Sequence, residues 1–325
     1  MKKKTFVSFL AMLLLTSLYI ARAQQSSKVP RIGFLTSAAG DPAIDAFRQS
    51  LRELGYVEGK DLLIEYRYAE WGPQRLSELA EELVRLKVDV IVTTATEPSL
   101  AAQRATKTIP IVMGGGGEPV AAGLVASLAR PGGNITGVTS ISADLSGKRL
   151  ELLREVAPKS SSVAVLWIPT ARGNKLQMKE TEAAAHSLDL QLRLVGVEGP
   201  NDFENAFSAI NGGGARAIVV LNSPMFASQR VRIAELAAKS RLPAIYATSG
   251  YVDAGGLMPY GPNVSDLYRR AAHYVDRILR KEAKPADLPV ETPTKFELAI
   301  NLKTAKQIGL TIPESVLYRV DRVIK

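Results

Sequence analysis

The sequence predicts an α/β protein built as two doubly wound parallel-sheet lobes joined by a three-crossover hinge. Three observations carry that expectation. Short apolar runs of strand length alternate with amphipathic helical patterns over residues 31–113, the order that implies a parallel sheet with right-handed crossovers. The alternation breaks off in a Gly- and Pro-rich stretch and restarts after Ser140 over a similar length. The tail then shows two extended, Gly- or Pro-marked segments flanking one long helical pattern. A chain that returns to the first lobe and crosses back would read this way.

In the first lobe, residues 31–36 (RIGFLT) form the first strand, followed by a loop of small residues. Residues 43–55 read as an amphipathic helix ending on Gly55, a residue suited to the left-handed turn past a helix C-terminus. A strand at 62–68 precedes a helix at 73–86, whose Leu76, Leu79, Ala80, Leu83 and Leu86 share one face. Residues 88–93 (VDVIVT) give the third strand, 99–106 the third helix and 109–113 (IPIVM) the fourth strand. In the second lobe, helices at 146–156, 175–188, 202–210 and 229–240 alternate with strands at 163–167, 190–197, 217–221 and 243–247. Residues 255–261 are extended, 264–280 form a long helix, 284–290 are extended, and 296–308 form a last helix ended by Gly309. The implied N-terminal lobe is 24–139 plus 257–289, and the C-terminal lobe is 140–256 plus 290–325. Crossovers fall near Thr139, Met258 and Val290.

Residues 109–140 organise the rest. Gly114 to Gly117 place four residues without Cβ at the carboxyl end of a buried strand, where the backbone can turn freely and approach a ligand. Glu118-Pro119 is expected to open a helix over about 120–129, with an acid at the positive end of its dipole. Ligands of open α/β sheets sit outside the carboxyl ends of the strands, so this stretch forms one wall of a site and the exit from the first sheet.

The N-terminus carries Lys2-Lys3-Lys4, an apolar run over 6–20 and Ala21-Arg22-Ala23, the layout of an export signal cleaved after Ala23. Removing residues 1–23, with four basic residues and no acid, reduces the formal charge from +9 to +5. The remaining basic residues are scattered, which argues against a nucleic-acid surface. The chain has no cysteine, hence no disulfide, no thiolate metal site, no cysteine nucleophile and no lipid-modified cysteine after the signal. A free periplasmic monomer is expected. With two histidines, His186 and His273, both on helical patterns, no metal site and no cofactor are expected either.

Several segments carry a resemblance. EPVAAGLVASLARPGGNITGVT, RLPAIYATSGYVDAGGLMPYG, LYRRAAHYVDRIL, KPADLPVETPTKFELAINLKTAKQIGLTIP and the closing VDRVI resemble the ABC-transporter substrate-binding family. The resemblance spans essentially the whole mature chain and is most specific in PTKFELAINLKTAKQIGLTIP. It implies a type I periplasmic binding-protein fold, a small-molecule ligand held between the lobes, and an ABC permease as partner. Among relatives of known ligand, aromatic amino acids are the best-known case. Where the family often has Asp before the Pro of the first segment, this chain has Glu118 after four glycines.

A ligand between such lobes would meet strand-end loops from both. First-lobe candidates are Thr36, Ser37, Thr94, Ala95, Gly116, Gly117 and Glu118. Exposed N–H groups near Thr96 and Ser99 can hold a carboxylate, and simple helix capping accounts for Thr94 and Ser99 equally well. Glu118 can meet an ammonium group or merely complement a helix dipole. Second-lobe candidates are Trp167, Arg172, Asn174, Asn222, Ser223, Ser249 and Tyr251. Trp167 offers a stacking face or a core tryptophan, Arg172 a carboxylate clamp or a solvated loop arginine, Asn222 a ligand amide or a turn former before Pro224. Few Asp, Asn and Arg stand at strand ends, which favours an amino acid or aromatic acid over a sugar. An exported enzyme is the weaker reading, since G-x-S-x-G and the phosphate-binding G-x-x-x-x-G-K-[ST] are absent and no histidine stands at a strand end. A ligand-sensing domain for a membrane receptor would share the same closed form.

Overall fold

The computed structural model describes residues 29–39, 42–70 and 73–325; the signal expected at 1–23 lies outside them. The first sheet contains β1 (Arg31–Thr36), β2 (Leu63–Tyr68), β3 (Val90–Thr93), β4 (Ile111–Gly116) and β5 (Ile135–Thr139), all parallel, in the order β2-β1-β3-β4-β5. The central strands are apolar on both faces because helices cover both. One layer contains α2 (Pro73–Arg85) and α3 (Thr96–Ala105), and the other α1 (Pro42–Glu53).

Beside α1 lies a helix contributed by the tail. Residues Val264–Leu279 bury Leu267, Tyr268, Ala271, Ala272, Tyr274, Val275 and Ile278 in the first-lobe core. Each large apolar side chain so buried contributes about 1.5–3 kcal/mol, enough to bring the chain back across the hinge.

The second sheet is larger than expected. It contains β6 (Ser162–Trp167), β7 (Gln191–Gly196), β8 (Ala217–Val220), β9 (Ala244–Tyr246), β10 (Met258–Pro262), β11 (Phe296–Asn301) and β12 (Arg322–Ile324), in the order β12-β11-β10-β9-β8-β6-β7. Only the β10–β11 pair is antiparallel. The connecting helices include α4 (Ser146–Val156), α5 (Arg172–Ser187), α6 (Phe203–Gly212), α7 (Pro224–Ser228), α8 (Arg230–Lys239) and α9 (Gly250–Asp253), and the tail helix Val264–Leu279 is α10.

Three local expectations are corrected. Residues 257–262, assigned to the first lobe, belong to the second sheet: Met258 pairs with Ile245 and Tyr260 with Leu298. The crossover therefore lies at Asn263, whose side chain accepts from the Asp266 N–H and caps α10. Residues 296–301 form β11 rather than the start of a helix. The short helix α11 (Leu302–Gln307) begins only where the Asn301 side chain accepts from the Thr304 N–H. Residues 120–129 form turns instead of a helix. Hydrogen bonds from the Ala122 and Leu124 N–H groups close one turn, which Gly123, with φ 74°, ends.

The chain thus crosses between sheets three times: after Thr139, at Asn263, and between Glu291 and Phe296. The Thr139 N–H donates to the Glu291 carbonyl and the Glu291 N–H to the Gly137 carbonyl, so two crossovers lie side by side.

Candidate functional site

Between the lobes lies a cleft of about 290 Å³. Its first-lobe wall comprises residues 94–97 after β3 and Gly114, Gly115 and Gly117 at the end of β4. Ser140, Ser142 and residues 262–265 supply the hinge side. The second lobe adds Gly173, Asn174 and Gln177 from α5, residues 222–224, Arg230, and residues 247–250 with Asp253. Helices α3, α5 and α10 all begin at this cleft, so positive dipole ends converge on it.

Three glycine environments shape the walls. At Gly114 a Cβ would stand 2.4 Å from Cε1 of Tyr268, so glycine lets that ring lie flat on β4. Tyr268 is the one aromatic among the described lining residues. At Gly117 the carbonyl accepts from the Thr96 hydroxyl at 3.3 Å, which fixes the loop against the start of α3. At Gly173 a Cβ would stand 3.1 Å from Thr96 Oγ1, a contact between the two lobes.

The lobes are also hydrogen-bonded across the cleft mouth. The Gly173 N–H donates to Oε1 of Glu97 at 2.8 Å, and Arg172 donates to the Ala121 carbonyl at 3.1 Å. These bonds join the start of α5 to the first lobe and describe a closed arrangement.

Seven of the residues expected from sequence line the cleft: Thr94, Ala95, Gly117, Asn174, Asn222, Ser223 and Ser249. Several of them are occupied in holding its walls. The Thr94 hydroxyl donates to that of Thr36 at 2.9 Å, so Thr36 is fully buried behind it as a support. Asn174 accepts from the Ile168 N–H and donates to the Asn222 carbonyl. Ser223 caps α7 by accepting from the Phe226 N–H.

The other expected residues do not line the cleft. Ser37 and Gly116 lie off it; the Gly116 carbonyl accepts from the Ser140 N–H at 3.0 Å. Trp167 ends β6 opposite Gly196 and packs against the second-lobe core. Tyr251 is 3% exposed and stacks on Tyr246 at 4.2 Å, because its side chain points into the core under α9. Arg172 spans the mouth rather than facing inward.

Glu118 is turned into the hinge. Its φ of 25° reverses the chain, and Oε1 accepts from the Ala143 N–H at 2.6 Å while Oε2 is buried without a partner. Burial raises this carboxyl above the usual range, partly offset by the Ala143 bond. Beneath it Arg149, 1% exposed, donates to the Tyr260 and Ser142 carbonyls and so ties two crossovers together. Burial pushes its guanidinium down to about 10, which leaves it charged at neutral pH.

The sequence reading missed Glu97, Gly173, Gln177, Ser140, Ser142, Arg230 and Tyr268 as part of this region. Gln177 was within reach: it lies three residues after Asn174 on one helix face and exchanges bonds with Asn222 in both directions. Among the described residues, no group of three or more His, Asp or Glu side chains could hold a metal ion.

The family model for ABC transporter substrate binding proteins matches residues 28–324. The chain belongs to that family. A tyrosine-binding protein of Clostridioides difficile is 28% identical over 271 residues, covering 83% of this chain and 77% of the relative. A domain from Streptococcus pneumoniae solved in complex with L-Trp is 27% identical, with a TM-score of 0.83, covering 91% of this chain and all of the other. A substrate-binding protein with adhesive properties from Clostridium difficile, in its ligand-free, open structure, has the same identity and coverage but a TM-score of 0.61.

Proposed function

We propose that this protein is the solute-binding component of an ABC importer, exported to the periplasm and released from its signal after Ala23. It captures an amino acid or aromatic acid between its lobes and presents the closed form to a membrane permease. The observation that carries this reading is the closure itself: the Glu97–Gly173 and Arg172–Ala121 bonds join the lobes across the mouth of a small-molecule cleft at whose edge three helix N-termini meet. The better superposition on the L-Trp complex than on the open form, at equal identity, supports the same state. The convergent N-termini suit a carboxylate and the Tyr268 ring suits an apolar or aromatic side chain. The cleft is close to the lower end of small-molecule pockets, roughly 300–1,000 Å³, so the ligand is of amino-acid size.

The test is calorimetric titration of residues 24–325, unfolded and refolded to strip carried-over ligand, with amino acids, aromatic acids, nucleosides, sugars and polyamines. Saturable one-to-one binding confined to amino or aromatic acids is expected. Binding confined to sugars, nucleosides or polyamines would overturn the reading.

A further inference from the structure

The charges in the cleft are unevenly satisfied. Glu97 accepts from Gly173 through one oxygen. Asp253 pairs with Arg322 at 3.0 Å. Arg230, at the start of α8, donates once to the Ala227 carbonyl, and among the described residues no carboxylate pairs with it. A guanidinium has five N–H groups, so most of its donor capacity is left for something else. The side chain is also positioned: a Cβ at Gly250 would stand 3.6 Å from Cδ of Arg230, so its stem lies along the start of α9. On the hinge side, Ser140 is 4% exposed, lines the same cleft, and its hydroxyl has no partner. A buried hydroxyl without a hydrogen bond is costly, and the two residues that carry these groups line one cavity from different walls.

We infer that Arg230 and Ser140 select the ligand of this cleft: Arg230 takes a free carboxylate from the second lobe, and Ser140 bonds a second polar group from the hinge. The inference rests on the binding-protein reading, in which the ligand is an amino acid or aromatic acid, and names the side chains that hold its carboxylate and a second polar group. The pairing is charge-assisted and can be bidentate, which makes it directional as well as strong. The Ser140 N–H donates to the Gly116 carbonyl, which holds Ser140 against the glycine wall of the first lobe.

The experiment measures tryptophan, tyrosine, indole-3-propionate, tryptamine and tyramine against the wild type, Arg230→Gln, Ser140→Ala and Arg232→Gln. Arg232 pairs with Glu204 on the outer face and controls for charge removal from the same helix. Arg230→Gln should bind the carboxylate-bearing ligand about 10- to 150-fold more weakly and change tryptamine or tyramine affinity little. Ser140→Ala should weaken binding about 2- to 10-fold while leaving the unliganded melting temperature unchanged or higher, since it removes an unsatisfied group. Arg232→Gln should match the wild type. Equal affinity of Arg230→Gln and wild type for the carboxylate ligand overturns the inference and leaves the function standing. Equal loss for carboxylate and amine ligands assigns Arg230 to lobe closure and also overturns it. Binding of indole-3-propionate but no amino acid, sensitive to Arg230→Gln, supports the inference and assigns the cleft to aromatic acids. A wild type that binds tryptamine or tyramine but none of the three carboxylate-bearing ligands overturns both.

Discussion

The cross-lobe bond from Gly173 to Glu97 exists only when the lobes meet, so removing it should act on closure and hence on affinity. Glu97→Ala deletes the acceptor. A hydrogen bond to a charged group contributes about 1.5–3 kcal/mol net. Glu97 also sits in the first turn of α3, where an acid favours the helix by about 0.3–1 kcal/mol, but that contribution is the same in open and closed forms and cancels from the closure equilibrium. Ligand affinity falls by the free energy lost from the binding-competent state, which gives about a 10- to 150-fold weaker dissociation constant. Gly173→Ala should act in the same direction by a separate route, because its Cβ would press on Thr96 at 3.1–3.3 Å only in the closed form. Calorimetric titration reads the affinity, and X-ray scattering with saturating ligand reads the compaction. Affinity of Glu97→Ala within twofold of wild type would refute the latch and the closed-state argument built on it.

Further predictions concern the hinge and the cleft floor. Arg149→Met leaves the Tyr260 and Ser142 carbonyls unsatisfied inside the hinge and should cost about 3–5 kcal/mol in urea unfolding, whereas a loss under 1 kcal/mol would contradict the assigned role. Glu118 has a folded-state pKa raised above its unfolded value, so its ionisation opposes folding. Its contribution is fully favourable below the unfolded carboxylate range and is lost as pH rises through the folded value. Glu118→Gln should therefore melt at or above the wild-type temperature at pH 7, with the difference vanishing near pH ~4 as the wild-type carboxyl protonates; a lower melting temperature at pH 7 would show that the charge stabilises the hinge. Gly114→Ala drives a Cβ to 2.4 Å from Tyr268 and should cost about 1–3 kcal/mol and weaken ligand binding together, both readable from melting curves with and without ligand.

The βαβ order, the two-lobe division and the importance of strand-end loops were legible because they follow from local period and composition. Placement at a strand end does not say which way a side chain points. Tyr251 and Trp167 occupy the expected loops or ends, yet both pack against the core. Glu118 follows a strand as a ligand-binding acid would, but its left-handed backbone turns it toward Ala143, a twist that four preceding glycines do not announce. Met258–Pro262 reads equally as connector or strand, since pairing with Ile245 and Leu298 decides it and both partners are distant in sequence. The latch was illegible for a different reason: Glu97 and Gly173 are 76 residues apart and meet only through the mutual orientation of the lobes.

The most direct test of the central claim is calorimetric titration of the refolded chain with tryptophan and tyrosine, with the same sample followed by X-ray scattering. One-to-one binding accompanied by a decrease in radius of gyration is expected, as the open unliganded lobes close. Binding without compaction, or a radius already minimal before ligand is added and unchanged by it, would contradict capture by closure of the cleft.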